Sequence, residues 1–154
     1  MPLNAGDLAP EFILNTEGGK PFDLSSLRGK NVVLFFYPKA DTPGCTTEVC
    51  SFRDALPEYP ADAVVIGISP DAEKSQLKFR HKHELPFSLL ADFDHSAADA
   101  YEVWIEKSMY DKTYFGVERT TFVIGKDGRI AHIFRKVKPD GHAREVLAAL
   151  ARLG

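Results

Sequence analysis

The chain has 154 residues, a formal net charge of -3 and 44% hydrophobic residues. This length and hydrophobic fraction suit one ordinary globular domain, so we expect a single domain over residues 1–154. No cluster of lysine and arginine forms the basic face that phosphate binding requires. The composition therefore argues against a nucleic-acid partner.

The N-terminal stretch MPLNAGDLAPEF lacks the basic and apolar regions of a secretory signal. The longest apolar run, NVVLFFYP, is too short to cross a bilayer. We therefore expect a cytoplasmic protein with no membrane partner. In that reducing compartment, the two cysteines of the chain favour a catalytic, redox-sensing or metal-binding role over a structural disulfide.

Apolar runs and turn residues alternate along the first half of the chain. EFIL and PFDL flank the turn NTEGGK and predict an N-terminal β-hairpin. NVVLFFY, residues 31–37, and AVVIGIS, residues 63–69, predict two buried strands. One helix is predicted from about Pro43 to Leu56, and a second with Ser69 as its cap and Pro70 in its first position.

In the second half, FSLLAD predicts a short strand and HSAADAYEVW a short helix. RTTFVIGKDGRIAHIFR predicts two strands joined at the turn Asp127-Gly128. HAREVLAALARLG predicts a final helix that ends before Gly154, with an apolar face of Val146, Leu147, Leu150 and Leu153. This order of elements predicts the α/β class and a thioredoxin-like fold, in which helices flank a central mixed sheet.

Both cysteines lie in the stretch YPKADTPGCTTEVC, around the start of the first predicted helix. Thr42 is a suitable N-cap and Pro43 suits the first helical position, which makes Cys45 the third helical residue. A thiol reacts as the thiolate, and an ordinary thiol with a pKa near ~8.5 is mostly protonated at neutral pH. A helix terminus typically stabilises a nearby anion by only ~0.3 to 1 kcal/mol, which is too little to ionise an ordinary thiol at neutral pH. We therefore expect a cation beside this sulfur.

Two residues are candidates for that cation. Lys39 is close to Cys45 in sequence, and Arg119 opens the strand TTFVI, whose start lies near the cysteine-bearing helix in a thioredoxin-like fold. A charge pair at ~4 Å is worth about 4 kcal/mol at an effective dielectric of ~20. We favour Arg119, since a guanidinium can hold a thiolate and an oxyanion together. On the residues alone, the alternative is a surface charge paired with Glu118 or Asp127.

Cys50 follows Cys45 by five residues. On a regular helix this spacing separates the α-carbons by ~8.7 Å, whereas a disulfide requires less than about 7 Å. A bond between the two would therefore require local unwinding, which suits a resolving thiol better than a structural bridge. The alternative is that both cysteines are small buried hydrophobic residues.

The histidine pattern does not favour a metal site. His81 and His83 are two residues apart and lie on different helix faces, and the chain contains no Cys-x-x-Cys motif. Three further histidines are scattered along the chain and are expected to be solvated: His95, His132 and His142.

Pro38, Thr42 and Cys45 match the P-x-x-x-T-x-x-C signature of peroxiredoxins, and Arg119 in GVERTTFVI matches the active-site arginine of that family. FFYPKADTPGCTTEVC, with its second cysteine five residues on, resembles the peroxiredoxin Q branch, also called bacterioferritin comigratory protein. The similarity runs from GDLAPEFIL through YEVWIEKSMY to the final helix.

The resemblance implies a thiol-dependent peroxidase that reduces hydrogen peroxide and organic hydroperoxides without a metal, haem or flavin. It implies Cys45 as the peroxidatic cysteine and Cys50 as the intramolecular resolving cysteine. Thr42, Arg119 and Pro38 would complete the site. Thioredoxin or a similar dithiol would be the reductant, and a monomer is favoured over a dimer.

The sequence is also compatible with two other classes of protein. A thiol-disulfide reductase would share the fold, although such enzymes typically use Cys-x-x-Cys. A redox sensor without enzymatic activity would use the unfolding of the helix as its switch. The rate of thiol oxidation by hydrogen peroxide separates all three classes.

Overall fold

The structure is a computed structural model that describes residues 3–153, so the predicted role of Gly154 lies outside the described residues. The elements are β1 (Ile13–Thr16), β2 (Pro21–Asp23), β3 (Asn31–Phe36), α1 (Pro43–Ala55), β4 (Ala63–Ser69), α2 (Glu73–Lys82), β5 (Ser88–Ala91), α3 (Ser96–Ala100), β6 (Trp104–Met109), β7 (Lys112–Val117), β8 (Thr120–Ile124), β9 (Ile130–Phe134) and α4 (His142–Ala151). Among the described residues, no helix is both long and apolar enough to span a membrane.

Seven strands form a mixed sheet in the order β2-β1-β5-β4-β3-β8-β9. Strands β3, β4 and β5 run parallel, whereas β1 is antiparallel to β5 and β8 is antiparallel to β3. Every residue of β3 is buried, because its continuous apolar run is covered on both faces of the sheet. The predicted mixed sheet, the N-terminal hairpin and the hairpin at Asp127-Gly128 are confirmed.

Alternate residues of β3 enter two hydrophobic clusters on opposite faces of the sheet. Phe35 stacks on Phe52 of α1, and the same cluster contains Phe79 of α2 and Val146 of α4. Leu34 lies on the other face, in a cluster that includes residues of α3 and the following turn. The period-two alternation of a strand thus distributes one apolar run between two cores.

Helix α2 begins three residues later than predicted. Its first residue is Glu73, so Pro70 precedes the helix, and the predicted cap at Ser69 is wrong. The Ser69 hydroxyl instead donates to Asp71 Oδ2 over 2.6 Å, and the same oxygen accepts a bond from the Ala40 backbone amide over 2.7 Å. This segment therefore ties the loop before α1 to the end of β4.

Strands β6 and β7 form a separate two-stranded sheet that the sequence analysis missed. Tyr110 and Asp111 connect the strands, both with positive φ angles of 52° and 63°. Tight hairpins of this kind are usually marked by Asn-Gly or Asp-Gly, and neither pair occurs here. The predicted helix in HSAADAYEVW correspondingly ends at Ala100, because Trp104 already belongs to β6.

Two expectations for the C-terminal helix are wrong. Val146 and Leu150 are buried as predicted, but Leu153 lies beyond the end of α4 and is 40% exposed. His142 is fully buried rather than solvated. Its Nε2 lies 2.7 Å from the Thr121 hydroxyl, so it connects α4 to β8.

Candidate active site

Cys45 is the third residue of α1, as predicted, and its side chain is fully buried. The first hydrogen bond of the helix runs from Thr46 N to Thr42 O over 2.8 Å. The amides of Gly44 and Cys45 precede this ladder and have no partner within the helix. The sulfur therefore lies at the electropositive end of α1.

Arg119 immediately precedes β8 and reaches this sulfur. Phe36 pairs with Thr120, which brings the start of β8 beside the segment that leads from β3 into α1. Arg119 Nη2 lies 3.4 Å from Cys45 Sγ. Lys39, the other candidate cation, has an exposed side chain. Of the two, Arg119 is the residue that the fold brings into hydrogen-bonding distance of the thiol.

The sequence analysis missed Glu48, whose carboxyl is completely buried one turn after Cys45. Its Oε1 accepts a hydrogen bond from Arg119 Nη1 over 2.7 Å. Its Oε2 is buried without a hydrogen-bond partner among the described residues. Residues three apart share a helix face, so the spacing Cys45-x-x-Glu48 places both side chains toward the same neighbour. This spacing could have indicated that a cation beside Cys45 also contacts Glu48.

Burial raises the pKa of Glu48 to about 7, although the Arg119 charge and hydrogen bond lower it. Burial also lowers the pKa of Arg119, but the charges of Glu48 and Cys45 outweigh that effect and raise it. Near neutral pH the carboxyl is thus partly protonated, whereas the guanidinium stays charged. Glu48 therefore orients Arg119 while neutralising only part of its positive charge at the sulfur.

Gly44 makes room for the guanidinium at the start of α1. A Cβ atom at this position would lie 3.1 Å from Arg119 Nη2 and 3.6 Å from Pro139 Cγ. The first distance is closer than ordinary van der Waals contact, so a larger residue would displace Arg119. The glycine in the stretch TPGC thus has a steric role beside the thiol.

Thr42 occupies the N-cap position, but its side chain does not cap the helix. The hydroxyl donates to the Lys39 carbonyl over 2.8 Å. Because this bond uses the hydroxyl hydrogen and leaves the oxygen lone pairs free, Thr42 Oγ1 can still accept a hydrogen bond from a ligand. Pro38 is half-buried in the same loop, directly after Tyr37.

Cys50 is half-buried on α1 and is not bonded to Cys45. It packs against the hydrophobic cluster that contains Phe35 and Phe52. Because α1 is continuous from Pro43 to Ala55, regular geometry separates the two cysteine α-carbons by ~8.7 Å. A disulfide between them therefore requires this helix to unwind.

No group of three or more His, Cys, Asp and Glu residues within residues 3–153 is placed to hold a metal ion. The arrangement instead combines a buried thiol, a guanidinium in contact with it and free helix amides. Such a site can bind a small polar molecule and stabilise negative charge that develops on it.

The sequence pattern of the AhpC/TSA family matches residues 5–133 of the chain. The chain belongs to the AhpC/TSA family. Peroxiredoxin Bcp of Bacillus subtilis is 46% identical over 151 residues, which cover 97% of this chain and 96% of the relative. Peroxiredoxin Bcp of Escherichia coli K12 is 43% identical over 147 residues, with coverages of 95% and 94%.

Solved structures agree with this assignment. The bacterioferritin comigratory protein of Xanthomonas campestris, described for its alkyl peroxide reduction activity, aligns with a TM-score of 0.90 at 38% identity, over 97% of this chain and 98% of that one. A PrxQ mutant of Xylella fastidiosa aligns with a TM-score of 0.93 at 38% identity, over 99% and 98%. The predicted family and thioredoxin-like fold are confirmed, and the AhpC/TSA member described here is a peroxiredoxin, a thiol-dependent peroxidase.

Proposed function

We propose that Cys45 is the peroxidatic cysteine of this peroxiredoxin. The observation that carries the proposal is the 3.4 Å contact between Arg119 Nη2 and the buried Cys45 sulfur at the start of α1. A guanidinium and a helix N-terminus both favour an anion at this position. Both features would stabilise a thiolate, which is the form of cysteine that acts as a nucleophile.

In the first step, the Cys45 thiolate attacks one peroxide oxygen and the O–O bond breaks. The bond electrons leave with the second oxygen, which takes up a proton and departs as water or an alcohol. Cys45 becomes a sulfenic acid. Arg119 and the free amides of the helix start stabilise the charge on the departing oxygen, while the Thr42 hydroxyl accepts a hydrogen bond from the peroxide. Pro38 shields the sulfur from water.

In the second step, α1 unwinds and the Cys50 thiol attacks the sulfenic sulfur. The S–S bond forms, the S–O bond breaks and water leaves. The helical separation of the two cysteines supports this order, since the disulfide is out of reach until the helix opens. A dithiol then reduces the disulfide by exchange and is itself oxidised to a disulfide.

We propose hydrogen peroxide and organic hydroperoxides as substrates and thioredoxin or a similar dithiol as the reductant. The relative from Xanthomonas campestris, with its alkyl peroxide reduction activity, supports the organic substrates. The need for a dithiol supports the cytoplasm as the compartment, because thiols are kept reduced there. A monomer is proposed, which sedimentation of the reduced protein tests directly.

Replacing the proposed nucleophile tests the assignment. Cys45→Ser is expected to abolish peroxide consumption, since a hydroxyl with an ordinary pKa is a poor nucleophile. Consumption of hydrogen peroxide with a dithiol reductant is the measurement, and circular dichroism checks that the variant folds. Turnover by Cys45→Ser would assign the nucleophile elsewhere.

The resolving role has a separate test. Cys50→Ser is expected to oxidise once at the wild-type rate and then stall with thioredoxin as the reductant, because the sulfenic acid cannot form the disulfide. Stopped-flow oxidation followed by steady-state turnover measures both stages. Undiminished steady turnover would remove Cys50 from the cycle.

A further inference from the structure

The side chain of Lys107 on β6 runs back along the β6–β7 hairpin toward the active site. Its stem lies over Gly116, where a Cβ atom would be 3.7 and 3.8 Å from Lys107 Cδ and Cε. The ammonium Nζ donates to the Val117 carbonyl over 2.5 Å. Val117 is two residues before Arg119, so Lys107 forms a hydrogen bond to the segment that carries the active-site guanidinium.

Backbone hydrogen bonds hold this same segment from two other sides. Glu118 N donates to Val103 O over 2.8 Å, and Val137 N donates to Arg119 O over 2.9 Å. Two side-chain bonds add to these, one from Lys107 Nζ to the Val117 carbonyl and one from the Thr120 hydroxyl to the Glu118 carbonyl over 3.0 Å. Removing the bond from Lys107 would free the carbonyl end of β7 and loosen the backbone that aims Arg119 at the sulfur.

The charge of Lys107 also acts at the site. Burial and the Arg119 charge lower the pKa of Lys107, while the charges of Cys45 and Glu118 oppose this effect. The ammonium is half-buried, so solvent only partly screens these interactions. No ion pair within residues 3–153 involves Lys107. Its positive charge is therefore available to the field around Cys45.

We propose that Lys107 is a positioning residue of the peroxide site, which fixes the Arg119 segment through the Val117 carbonyl and adds a second positive charge to the field at Cys45. The proposal rests on the proposed function of Cys45 and deepens it. It also gives a role to the β6–β7 hairpin, which lies outside the central sheet.

The test compares variants at Lys107 in a Cys50→Ser background, where only the oxidation of Cys45 is observed. Lys107→Met removes the charge and the donor but keeps the stem. Lys107→Gln keeps an N–H donor without the charge, and Lys107→Arg keeps both. Lys112→Met, at an exposed position of the same hairpin, is the matched control.

Lys107→Met is expected to slow oxidation of Cys45 by hydrogen peroxide about tenfold, as the loss of one interaction of ~1.4 kcal/mol in the transition state would. Lys107→Gln should be intermediate, whereas Lys107→Arg and Lys112→Met should stay close to wild type. The ratio of Cys45 alkylation by anionic iodoacetate to that by neutral iodoacetamide should fall in Lys107→Met and Lys107→Gln. This ratio reports the positive field at the sulfur, which a merely structural lysine would not change.

Oxidation rates of Lys107→Met and Lys107→Gln within about twofold of wild type, a difference below ~0.5 kcal/mol, would overturn the proposal. So would an unchanged alkylation ratio. If Lys107→Met fails to fold, Lys107→Gln decides the outcome alone. Cys45→Ser is measured alongside: turnover in that variant would refute the proposed function, whereas a dead Cys45→Ser with fast Lys107 variants would refute only the role of Lys107.

Discussion

Arg119 connects two acidic partners on one helix. Its Nη2 contacts the Cys45 sulfur, and its Nη1 contacts the Glu48 carboxyl. The raised pKa of Glu48 means that its charge is incomplete at neutral pH. A fully ionised partner would compete with the Cys45 sulfur for the guanidinium, whereas this partly protonated carboxyl fixes the orientation of Arg119 with less competition.

Gly44→Ala tests the steric demand of this arrangement. The new Cβ would be 3.1 Å from Arg119 Nη2 and should push the guanidinium away from the thiol. We expect Cys45 oxidation to slow about tenfold, while the stability of α1 stays equal or rises by up to ~1 kcal/mol, because alanine favours helix over glycine. Stopped-flow oxidation and urea unfolding measure the two effects separately.

Ser51→Ala is the control for Gly44→Ala, since it raises helix propensity on α1 at a position farther along the helix. It should leave the oxidation rate unchanged. A Gly44→Ala variant that oxidises as fast as wild type would show that Arg119 accommodates the methyl group.

Glu48→Gln should change how stability depends on pH. The folded-state pKa of Glu48 is raised to about 7 from the ordinary value of 4.5, chiefly by burial. Its contribution to stability is therefore fully present below pH 4.5 and is lost as the pH rises through about 7. Relative to wild type, Glu48→Gln should gain up to about 3 kcal/mol in unfolding free energy across this window.

Urea unfolding of Glu48→Gln and of the parent protein between pH 4.5 and 8 measures this difference, with Cys50→Ser in both to prevent disulfide formation. The difference between the two proteins reports Glu48 together with the groups that it contacts through Arg119. A difference that does not change with pH would place the pKa of the carboxyl near its ordinary value.

At the scale of elements, the packing around β4 depends on Gly67, which has no side chain. Gly67 faces Phe35 and Leu89, and a Cβ atom there would lie 2.7 Å from Phe35 Cζ and 2.9 Å from Leu89 Cδ2. Gly67→Ala should therefore destabilise the protein by ~1–3 kcal/mol, the usual cost of overpacking a core. Thermal unfolding measures the loss.

Gly18→Ala provides the comparison for Gly67→Ala, because its nearest neighbouring atom would be 3.8 Å away. Its melting temperature should stay near that of wild type. Equal melting temperatures for the two variants would mean that the Phe35 ring moves aside at little cost.

The elements that could be predicted from the sequence are those with strong local signals. The continuous apolar run of β3 predicts a buried strand, and the pair Asp127-Gly128 predicts a hairpin turn. The β6–β7 hairpin was missed because neither Asn-Gly nor Asp-Gly marks its turn, and because the positive φ angle of Tyr110 is uncommon for its residue type. The start of α2 was misplaced because Ser69 bonds Asp71 instead of a helix terminus.

The same limit applies to the site. The thiols, Arg119, Thr42 and Pro38 follow a recognisable motif, and the structure brings the guanidinium to the sulfur. Glu48 and Lys107 are ordinary charged residues in the sequence, and only tertiary packing gives them buried partners. His142 was likewise expected in solvent, because its bond to Thr121 depends on how α4 docks on the sheet.

Across the whole molecule, oxidation should remodel the fold. If Cys45 and Cys50 bond, α1 must lose helical turns, since the disulfide requires less than about 7 Å between α-carbons. Peroxide-treated wild type should therefore show a weaker helical signal in circular dichroism and faster proteolysis within residues 43–55. Cys50→Ser, treated in the same way, should keep both properties of the reduced protein.

An unchanged helical signal in a protein whose disulfide is verified by mass spectrometry would contradict this expectation. The single domain over residues 1–154 stays a prediction. Phe52 of α1 stacks on Phe35 in one of the two hydrophobic clusters. Unwinding of α1 would therefore disturb the packing of that cluster.

The Cys45–Arg119 contact joins residues 74 positions apart. A ribosome-bound chain exposes both thiols long before Arg119 is synthesised and before β8 has paired with β3. Such a nascent polypeptide lacks the proposed peroxidase centre, so its thiols are expected to react with oxidants only as slowly as those of any unfolded peptide. Sensitivity to peroxide is thus expected to arise only with completed folding, and the unfinished chain would escape premature oxidation.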